Sequence, residues 1–229
     1  MTDRARESAR IVFTSQGSTA IINADGSGLR YFEFDVPGQE SWQPGEFFPD
    51  GRMLLVSMEA RRDGPGKSFD DYFHLTPTHV WIYDPAQDTL EEILTRERLA
   101  VSPRPYLLLK DGRMLVQVVF EDRTAQAFNM NLDGTDAREV TQAGEGLAYG
   151  LSLSPDGSRI AFHLAGPSGY QIWTSDVDGQ NRVLVAAHEE YLYFGPQWSP
   201  DGEWLAHQGC LFRQDSGHDW SDLFISRPD

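Results

Sequence analysis

The same four-residue turn recurs along this chain at a regular spacing. Ser154-Pro155-Asp156-Gly157 and Ser199-Pro200-Asp201-Gly202 each precede a strand-like run, and their glycines are 45 residues apart. In Leu109-Lys110-Asp111-Gly112 the glycine lies a further 45 residues upstream, and Phe48-Pro49-Asp50-Gly51 repeats the pattern near the start. Proline fixes φ, the aspartate carboxylate bonds the backbone just ahead, and glycine accepts a positive φ. Each motif therefore predicts a tight β-hairpin turn.

A second turn signal alternates with the first. It occurs in Asn23-Ala24-Asp25-Gly26, Asn131-Leu132-Asp133-Gly134 and Asp176-Val177-Asp178-Gly179, and Gly134 and Gly179 are again 45 residues apart. Each unit then contains strand a, a turn, strand b, a loop, strand c, an Asp-Gly turn and strand d. Four short strands in a repeat of this length predict an all-β fold, a β-propeller of four-stranded antiparallel blades.

The period divides the chain into about five blades within one propeller domain, residues 10–36, 42–95, 104–141, 149–185 and 194–229. The first blade lacks a segment for strand a, and the last lacks one for strand d. A propeller closes by pairing its two chain ends, because unpaired edges invite aggregation. We therefore expect a C-terminally truncated, N-terminal part of a larger propeller of six to eight blades. The alternative is a complete five-bladed protein with ragged ends.

Charge and composition exclude some partners. The chain has 35 acidic and 19 basic residues, a net charge of −16, which disfavours nucleic acid and anionic membranes as partners. Cys210 is the single cysteine, so an intrachain disulfide is not possible. The first ten residues are polar and charged, and no run of 18 apolar residues follows. We expect a soluble, cytoplasmic protein.

The two longest loops are expected on one end of the blades. Residues 59–78 and 208–221 are both b–c inserts, which leave the blades at the end opposite the Asp-Gly turns. Loops on a rigid scaffold often carry function. Imidazoles and carboxylates there could bind a divalent metal or transfer protons, or they could simply cap the loops. The candidates are His74, His79, His218 and Asp219, with His188, Glu189 and Glu190 from a d–a loop. By contrast, His163 and His207 fall on b strands and are expected to be structural.

A second set of candidates occupies one repeated position near the start of each strand a. Counting back from each turn glycine gives Gln43, Arg104, Tyr149 and Phe194. Side chains repeated round a ring predict a channel rim for a polar ligand. Arg104 suits a carboxylate because a guanidinium offers paired donors, and Trp42 and Tyr106 would add stacking surfaces. The alternative is packing along the channel.

With these turns in view, the chain resembles the TolB-like propellers built from WD40-like repeats of the Pro-Asp-Gly (PD40) type. The resemblance rests on Ser154-Pro155-Asp156-Gly157-Ser158-Arg159-Ile160-Ala161-Phe162 and on Ile172-Trp173-Thr174-Ser175-Asp176-Val177-Asp178-Gly179. It covers most of the chain and implies the propeller fold and a module that binds protein partners. It implies less about function, because one fold hosts many activities.

The chain also resembles, more faintly, the oligogalacturonate lyases. The segment Phe69 to Thr78, with Tyr72-Phe73-His74 and Pro77, and the strand Val80-Trp81-Ile82-Tyr83-Asp84 are similar to the corresponding loop and strand of those enzymes. That resemblance implies a manganese site of three His and one Gln on inner strands. It also implies an arginine base, whose setting Ser102-Pro103-Arg104-Pro105 matches. Tyr149 and Phe194 supply no His, so a divalent metal is expected only in a full-length protein.

Two functions follow from the sequence. We expect a binding module that holds a protein partner or a small polar or carbohydrate ligand on the b–c/d–a loop face. The alternative is a metal-dependent, carbohydrate-active lyase that cleaves uronides by β-elimination, with Arg104 as the base. The sequence contains no Gly-rich phosphate loop, no nucleophile elbow and no cysteine pair for zinc.

Overall fold

The computed structural model describes residues 10–15, 18–59, 77–96, 106–120, 122, 124–211 and 221–229. These residues form eighteen β-strands in five antiparallel sheets and contain no helix. Within the described part, no helix therefore has the length and apolar character needed to cross a membrane. The chain divides into two compact units, Met1–Glu97 and Arg98–Asp229, and the predicted all-β architecture of propeller blades is confirmed.

The first unit contains two sheets. Blade one has three strands in the order β1-β2-β3, and blade two has four in the order β4-β5-β6-β7. The strands are β1 (Arg10–Ser15), β2 (Ser18–Asn23), β3 (Arg30–Phe32), β4 (Gln39–Phe47), β5 (Met53–Glu59), β6 (Thr78–Asp84) and β7 (Thr89–Arg96). Every neighbouring pair is antiparallel. The sheet of blade one has no strand a among the described residues, as predicted.

The second unit contains three sheets. Blades three and four have four strands each, and blade five has three, again in sequence order. The strands are β8 (Tyr106–Leu108), β9 (Met114–Val119), β10 (Ala125–Met130), β11 (Arg138–Glu139), β12 (Leu147–Leu153), β13 (Arg159–Gly166), β14 (Gly169–Asp176), β15 (Val183–Ala186), β16 (Tyr191–Trp198), β17 (Leu205–Leu211) and β18 (Ser221–Ser226). Blade five has no strand d in the part of the chain that the structure describes, also as predicted.

The repeated turns have the predicted chemistry. All seven turn glycines have a positive φ, between 71° and 91°. In the a–b turns the glycine N–H donates to the carbonyl three residues back, at 2.8–2.9 Å. In both turn series, the aspartate carboxylate accepts the backbone N–H two residues ahead, as Asp156 does from Ser158 at 3.0 Å and Asp178 from Gln180 at 3.0 Å. These bonds lie within the turn, which explains why the motif predicts its own structure.

Strands with apolar residues on both faces are buried on both faces. Met53, Leu54, Leu55 and Val56 in β5 are all essentially inaccessible to solvent. One core cluster joins blades one and two, a second joins blades three and four, and a third joins blades four and five. The cores therefore lie between neighbouring sheets, and blade four, with a core on each side, is packed on both faces.

Two expectations about the inserts are wrong. The blade-five insert was expected to begin at Gln208, but β17 continues to Leu211 because its pairing with β16 and β18 persists through Cys210. His79 was expected in the blade-two insert, but it is the second residue of β6 and pairs with Ser57 of β5. In both places the cross-strand ladder extends further than the apolar pattern indicates.

Candidate functional site

Three rings stack across blade four, at the end of the sheet that carries the b–c and d–a loops. Tyr149 of β12 and His163 of β13 are register partners, with ring centroids 5.4 Å apart and an interplanar angle of 22°. His163 and Tyr170 of β14 are 6.0 Å apart at 17°. We call Tyr149, His163 and Tyr170 the aromatic ladder. The b–c hairpin turns tightly between the paired residues Gly166 and Gly169, and Tyr170 remains 37% exposed.

Bulges in two inner strands bring blades four and five close together beside the ladder. The register of β12 shifts between Tyr149 and Ser152, and that of β16 shifts between Phe194 and Gln197. Gly150 and Gly195, one repeat apart, follow the predicted rim positions and have φ of 60° and 63°. A Cβ on Gly150 would lie 2.9 Å from His163 Nδ1 and 3.4 Å from Gly195 Cα. Glycine is therefore required there for the close approach.

His163 is a neutral imidazole at neutral pH. Burial lowers its pKa from 6.5 to about 4, because a charged ring would lose hydration between the two tyrosines. The backbone N–H of Gly195 donates to Nδ1 at 3.5 Å, a long bond that assigns the ring proton to Nε2. Among the described residues no hydrogen bond to Nε2 occurs, so this N–H is a donor available to a ligand. The expectation that His163 lies on a b strand is confirmed.

The d–a loop between blades four and five adds a second aromatic group next to blade five. His188 meets Tyr191 edge to face at 5.2 Å, and Tyr191 stacks on Tyr193 at 5.9 Å. The Nδ1 atom of His188 accepts the backbone N–H of Glu190 at 3.0 Å. His188 therefore caps its own loop, which is the simpler of the two roles considered for it.

In the first unit, Trp42 and Gln43 were both predicted to lie at the channel rim. Trp42 was expected to offer a stacking surface, but it is buried in the core between blades one and two, 4.8 Å from Phe34 and 5.5 Å from Trp81. Gln43 is half-buried in β4 and pairs with Val56. Trp42 lies within a bulge between Glu40 and Gln43, and a bulge changes the direction of the side chains beside it.

His79 belongs to a hydrogen-bonded relay that crosses blade two. Trp81 Nε1 donates to Ser57 Oγ at 2.8 Å, and Ser57 Oγ donates to Gln39 Oε1 at 2.7 Å. Gln39 Nε2 lies 3.2 Å from His79 Nε2, and His79 Nδ1 lies 2.7 Å from Glu92 Oε1. Glu59 Oε1 also lies 3.5 Å from His79 Nε2, so the ring is placed between two carboxylates.

Sequence reasoning missed Gln39, Ser57 and Glu92. They lie 40, 22 and 13 residues from His79 along the chain, and only strand register brings them together. The Glu92 carboxylate accepts from the Thr95 hydroxyl and from His79, and these bonds lower the pKa of Glu92. With the polar atoms of the relay paired in this way, the arrangement is structural.

Several predicted residues lie outside the described residues, namely Arg104, His74, His218 and Asp219. Tyr106 is described only through its backbone, as the first residue of β8. Within the described ranges, no group of three His, Cys, Asp or Glu side chains converges as metal ligands.

Solved structures show what the fold resembles. TolB from Acinetobacter baumannii matches with a TM-score of 0.65 at 15% identity, over 97% of this chain and 53% of the TolB chain. An oligogalacturonate lyase from Vibrio parahaemolyticus matches with a TM-score of 0.66 at 13% identity, over 93% of this chain and 58% of the lyase. An oligogalacturonate lyase in complex with manganese matches at 0.64 and 13% identity, over 92% of this chain and 61% of that one.

This chain thus spans between half and two thirds of the length of these three structures. No protein-family model and no curated protein matches its sequence. At such low identity, similarity of structure shows the fold and not the activity. The chain has the β-propeller fold that TolB and oligogalacturonate lyase share.

Proposed function

We propose that this chain is a binding module, TolB-like in fold, that holds a protein partner or a small polar ligand at the b–c/d–a end of its blades. The observation that carries this proposal is the aromatic ladder of blade four. Tyrosine offers a broad apolar face and a hydroxyl with few rotatable bonds, which explains its enrichment at binding surfaces. Tyr170 presents such a face, partly exposed, at this end of the sheet.

The electrostatics of the ladder favour an uncharged or weakly polar contact. His163 is neutral at pH 7, because its pKa is about 4, so it would bind through the Nε2–H donor and its ring face rather than through charge. A peptide carbonyl or a sugar hydroxyl is an acceptor of the right kind. Aromatic faces pack well on the apolar face of a sugar ring or on an aliphatic side chain.

The turn aspartates at the opposite end of the blades accept hydrogen bonds within their own turns. Hydrogen bonds from the Ser154 hydroxyl and from Ser158 lower the pKa of Asp156 to about 2. The Ser199 hydroxyl and the Glu203 N–H likewise lower the pKa of Asp201. These carboxylates therefore stabilise the turns.

Selection from a random peptide library tests this proposal, with trigalacturonate as a small-ligand probe in calorimetry. We expect bound probes to lose at least about tenfold in affinity with Tyr149→Ala or Tyr170→Ala, as for central aromatic contacts. The matched control is Trp204→Ala, because Trp204 is also 37% exposed but lies beside the a–b turn of blade five. If affinity falls with Trp204→Ala and not with the ladder variants, the probe binds at the turn end of the blades, and the proposed binding end is wrong. If no probe binds wild type, this ladder is not a site for these two chemistries.

A second candidate is the metal-dependent lyase acting on uronides, which rests on the fold likeness to oligogalacturonate lyases. The inner strands of blades four and five hold Tyr149 and Phe194 at the repeated position, and a phenyl ring cannot ligate manganese. The described residues therefore do not fit a metal site. The candidate depends on Arg104. Loss of uronide cleavage in Arg104→Ala would support it, and equal turnover would remove it.

A further inference from the structure

A cleft of about 300 Å³ lies between blades one and two, at the end of the sheets that carries their turns. Blade one supplies Arg10 and Arg30 to its lining, and blade two supplies Asp50 and Asp84. Both walls belong to neighbouring blades of the first unit. A further strand beside β1 would extend that sheet at its edge and would form neither wall. The volume is within the range of small-molecule sites.

The guanidinium of Arg10 lacks the polar partner that the repeat gives it elsewhere. Arg159 begins strand b of blade four as Arg10 begins that of blade one, and its Nη2 donates to Thr174 Oγ1 at 2.6 Å. In blade one, Ile21 stands at the place of Thr174 and offers no acceptor. Arg10 makes no hydrogen bond and no ion pair with any described residue. Its five N–H donors are therefore available to a ligand.

Arg10 is nevertheless held in one place. Its guanidinium lies over the Phe47 ring of blade two, 5.1 Å from the centroid. A Cβ built on Gly51 would lie 3.1 Å from Arg10 Nη2, so the side chain reaches the a–b turn of blade two. Arg159 lies over Trp198 of the next blade in the same manner, at 5.8 Å. Because blade four has all four strands, this placement belongs to the repeat and does not depend on a missing strand.

Two of the four charges that line the cleft are already paired. Arg30 Nη2 lies 3.3 Å from Asp88 Oδ1. Asp50 Oδ2 accepts from Arg52 Nε at 2.8 Å. These pairs compensate one positive and one negative charge of the lining. The charges that remain are those of Arg10 and Asp84.

Asp84 is the matching unpaired carboxylate. Its Oδ1 accepts the backbone N–H groups of Ala86 and Gln87 at 2.8 and 3.3 Å, and no cation among the described residues pairs with it. Arg10 and Asp84 line the same cleft without forming an ion pair with each other. The cleft thus offers one positive and one negative group, on opposite walls, to whatever enters between them.

We propose that this cleft binds a free α-amino acid with an aliphatic side chain, at a site different from the aromatic ladder. The ligand carboxylate binds the paired donors of Arg10, and its ammonium binds Asp84. Its side chain packs on Ile21 and Phe32, which line the cleft and are 8% and 4% exposed. A zwitterion has no net charge, so the field of a chain with net charge −16 does not repel it as it repels a simple carboxylate.

Calorimetry on the full chain with three probes tests the proposal. L-Leucine carries both charged groups, isocaproate lacks the ammonium and isopentylamine lacks the carboxylate. We expect L-leucine to bind at least about tenfold more tightly than either of the others, because each of them leaves one charged group of the cleft unpaired. Isocaproate binding as tightly as L-leucine would reveal a plain carboxylate site and overturn the proposal. Wild type that binds no L-leucine would overturn it as well.

Charge-removing variants locate the binding. Arg10→Gln and Asp84→Asn each weaken L-leucine binding at least about tenfold, and in Asp84→Asn the preference over isocaproate disappears. Asparagine still accepts the turn N–H groups, so the turn is kept. Arg138→Gln and Asp178→Asn make the same charge changes in the second unit, outside this lining, and leave affinity unchanged.

The controls also decide what a loss of affinity means. Equal losses in Arg138→Gln and Arg10→Gln would show that the overall charge, and not the cleft, governs binding, and would overturn the proposal. Circular dichroism checks that each variant is folded. If Arg10→Gln does not fold, the three probes on wild type and the loss of preference in Asp84→Asn still decide.

Discussion

His207 occupies in blade five the position that Phe162 occupies in blade four, 45 residues earlier. Both side chains are buried, His207 being 2% exposed. The Nε2 atom of His207 lies 3.0 Å from the Ser226 hydroxyl, but Nδ1 has no partner among the described residues. Edge-to-face contact with Tyr193 and stacking on Phe224 hold the ring. The repeat thus accepts an imidazole where its sister blade has a phenyl ring.

Replacing His207 by Phe is expected to stabilise the protein. The change removes a buried nitrogen without a partner among the described residues and copies the residue that fits the same site in blade four, so the free energy of unfolding should rise by about 1 kcal/mol at pH 7. Burial lowers the pKa of His207 below 6.5, so the wild type loses stability as the pH falls below 6.5 and the advantage of the variant grows. Urea unfolding at several pH values measures this. A variant less stable than wild type at all of them would contradict the expectation.

His163 is expected to make the protein sensitive to mild acid. Its pKa is about 4 in the folded protein, against 6.5 for an unperturbed imidazole. The unfolded chain therefore binds the proton first, and stability is lost as the pH falls from 6.5 toward 4, by up to about 1.4 kcal/mol for each pH unit. His163→Gln makes the slope shallower, leaving the part that His207 contributes, and His188→Gln, on an exposed ring, keeps it. Identical slopes in the two variants would contradict the assignment.

Two turn glycines are expected to respond differently to alanine. Gly112 has φ of +82°, and no atom of the described residues lies within 4 Å of the point where an alanine Cβ would lie, so Gly112→Ala costs only the backbone strain, about 1 kcal/mol. Gly179 has φ of +84°, and a Cβ there would collide with the Val140 carbonyl. Gly179→Ala should therefore cost clearly more. Thermal unfolding compares them, with Gly112→Asn as the tolerant control. Equal losses of stability at both sites would show that backbone strain alone sets the cost of alanine, and that the contact with Val140 adds nothing.

The relay of blade two is expected to fail when its central hydroxyl is removed. Ser57→Ala leaves the Trp81 indole N–H and the Gln39 carbonyl without their partner in a buried place, at a cost of about 2 kcal/mol. Ser158→Ala, in an exposed turn, is the control and should cost less. Urea unfolding measures both. A loss for Ser57→Ala no larger than that of the control would mean that water replaces the hydroxyl.

Much of the fold was predictable because its signals are local. The Asp156 carboxylate bonds the Ser158 N–H two residues ahead, and Gly157 bonds Ser154 three residues back. Turn residues therefore specify their own structure, and strands follow between the turns. Strand ends were less predictable. β17 extends past Gln208 because two neighbouring strands continue to pair with it, and an apolar pattern does not record such pairing.

The candidate site was predictable only in part. Tyr149 and Phe194 were identified by counting from the turn glycines, but the rings that accompany Tyr149 come from β13 and β14. His163 was expected to be structural, and its stacking between two tyrosines with an open Nε2–H gives it a place in the proposed site. Trp42 was expected to add a stacking surface at the channel rim, but it lies within a bulge in β4 and is buried in the core between blades one and two.

By itself, the sequence determined the blade repeat, the turn positions and the missing strands of blades one and five, since a 45-residue period and Asp-Gly turns act through neighbours in the chain. Only the tertiary structure decided which side chains meet. Gln39 reaches His79 across 40 residues through strand register, and Leu223 is exposed where Ile172 is buried because a further blade covers only the second. Contacts between strands depend on register and bulges, and no local pattern encodes them.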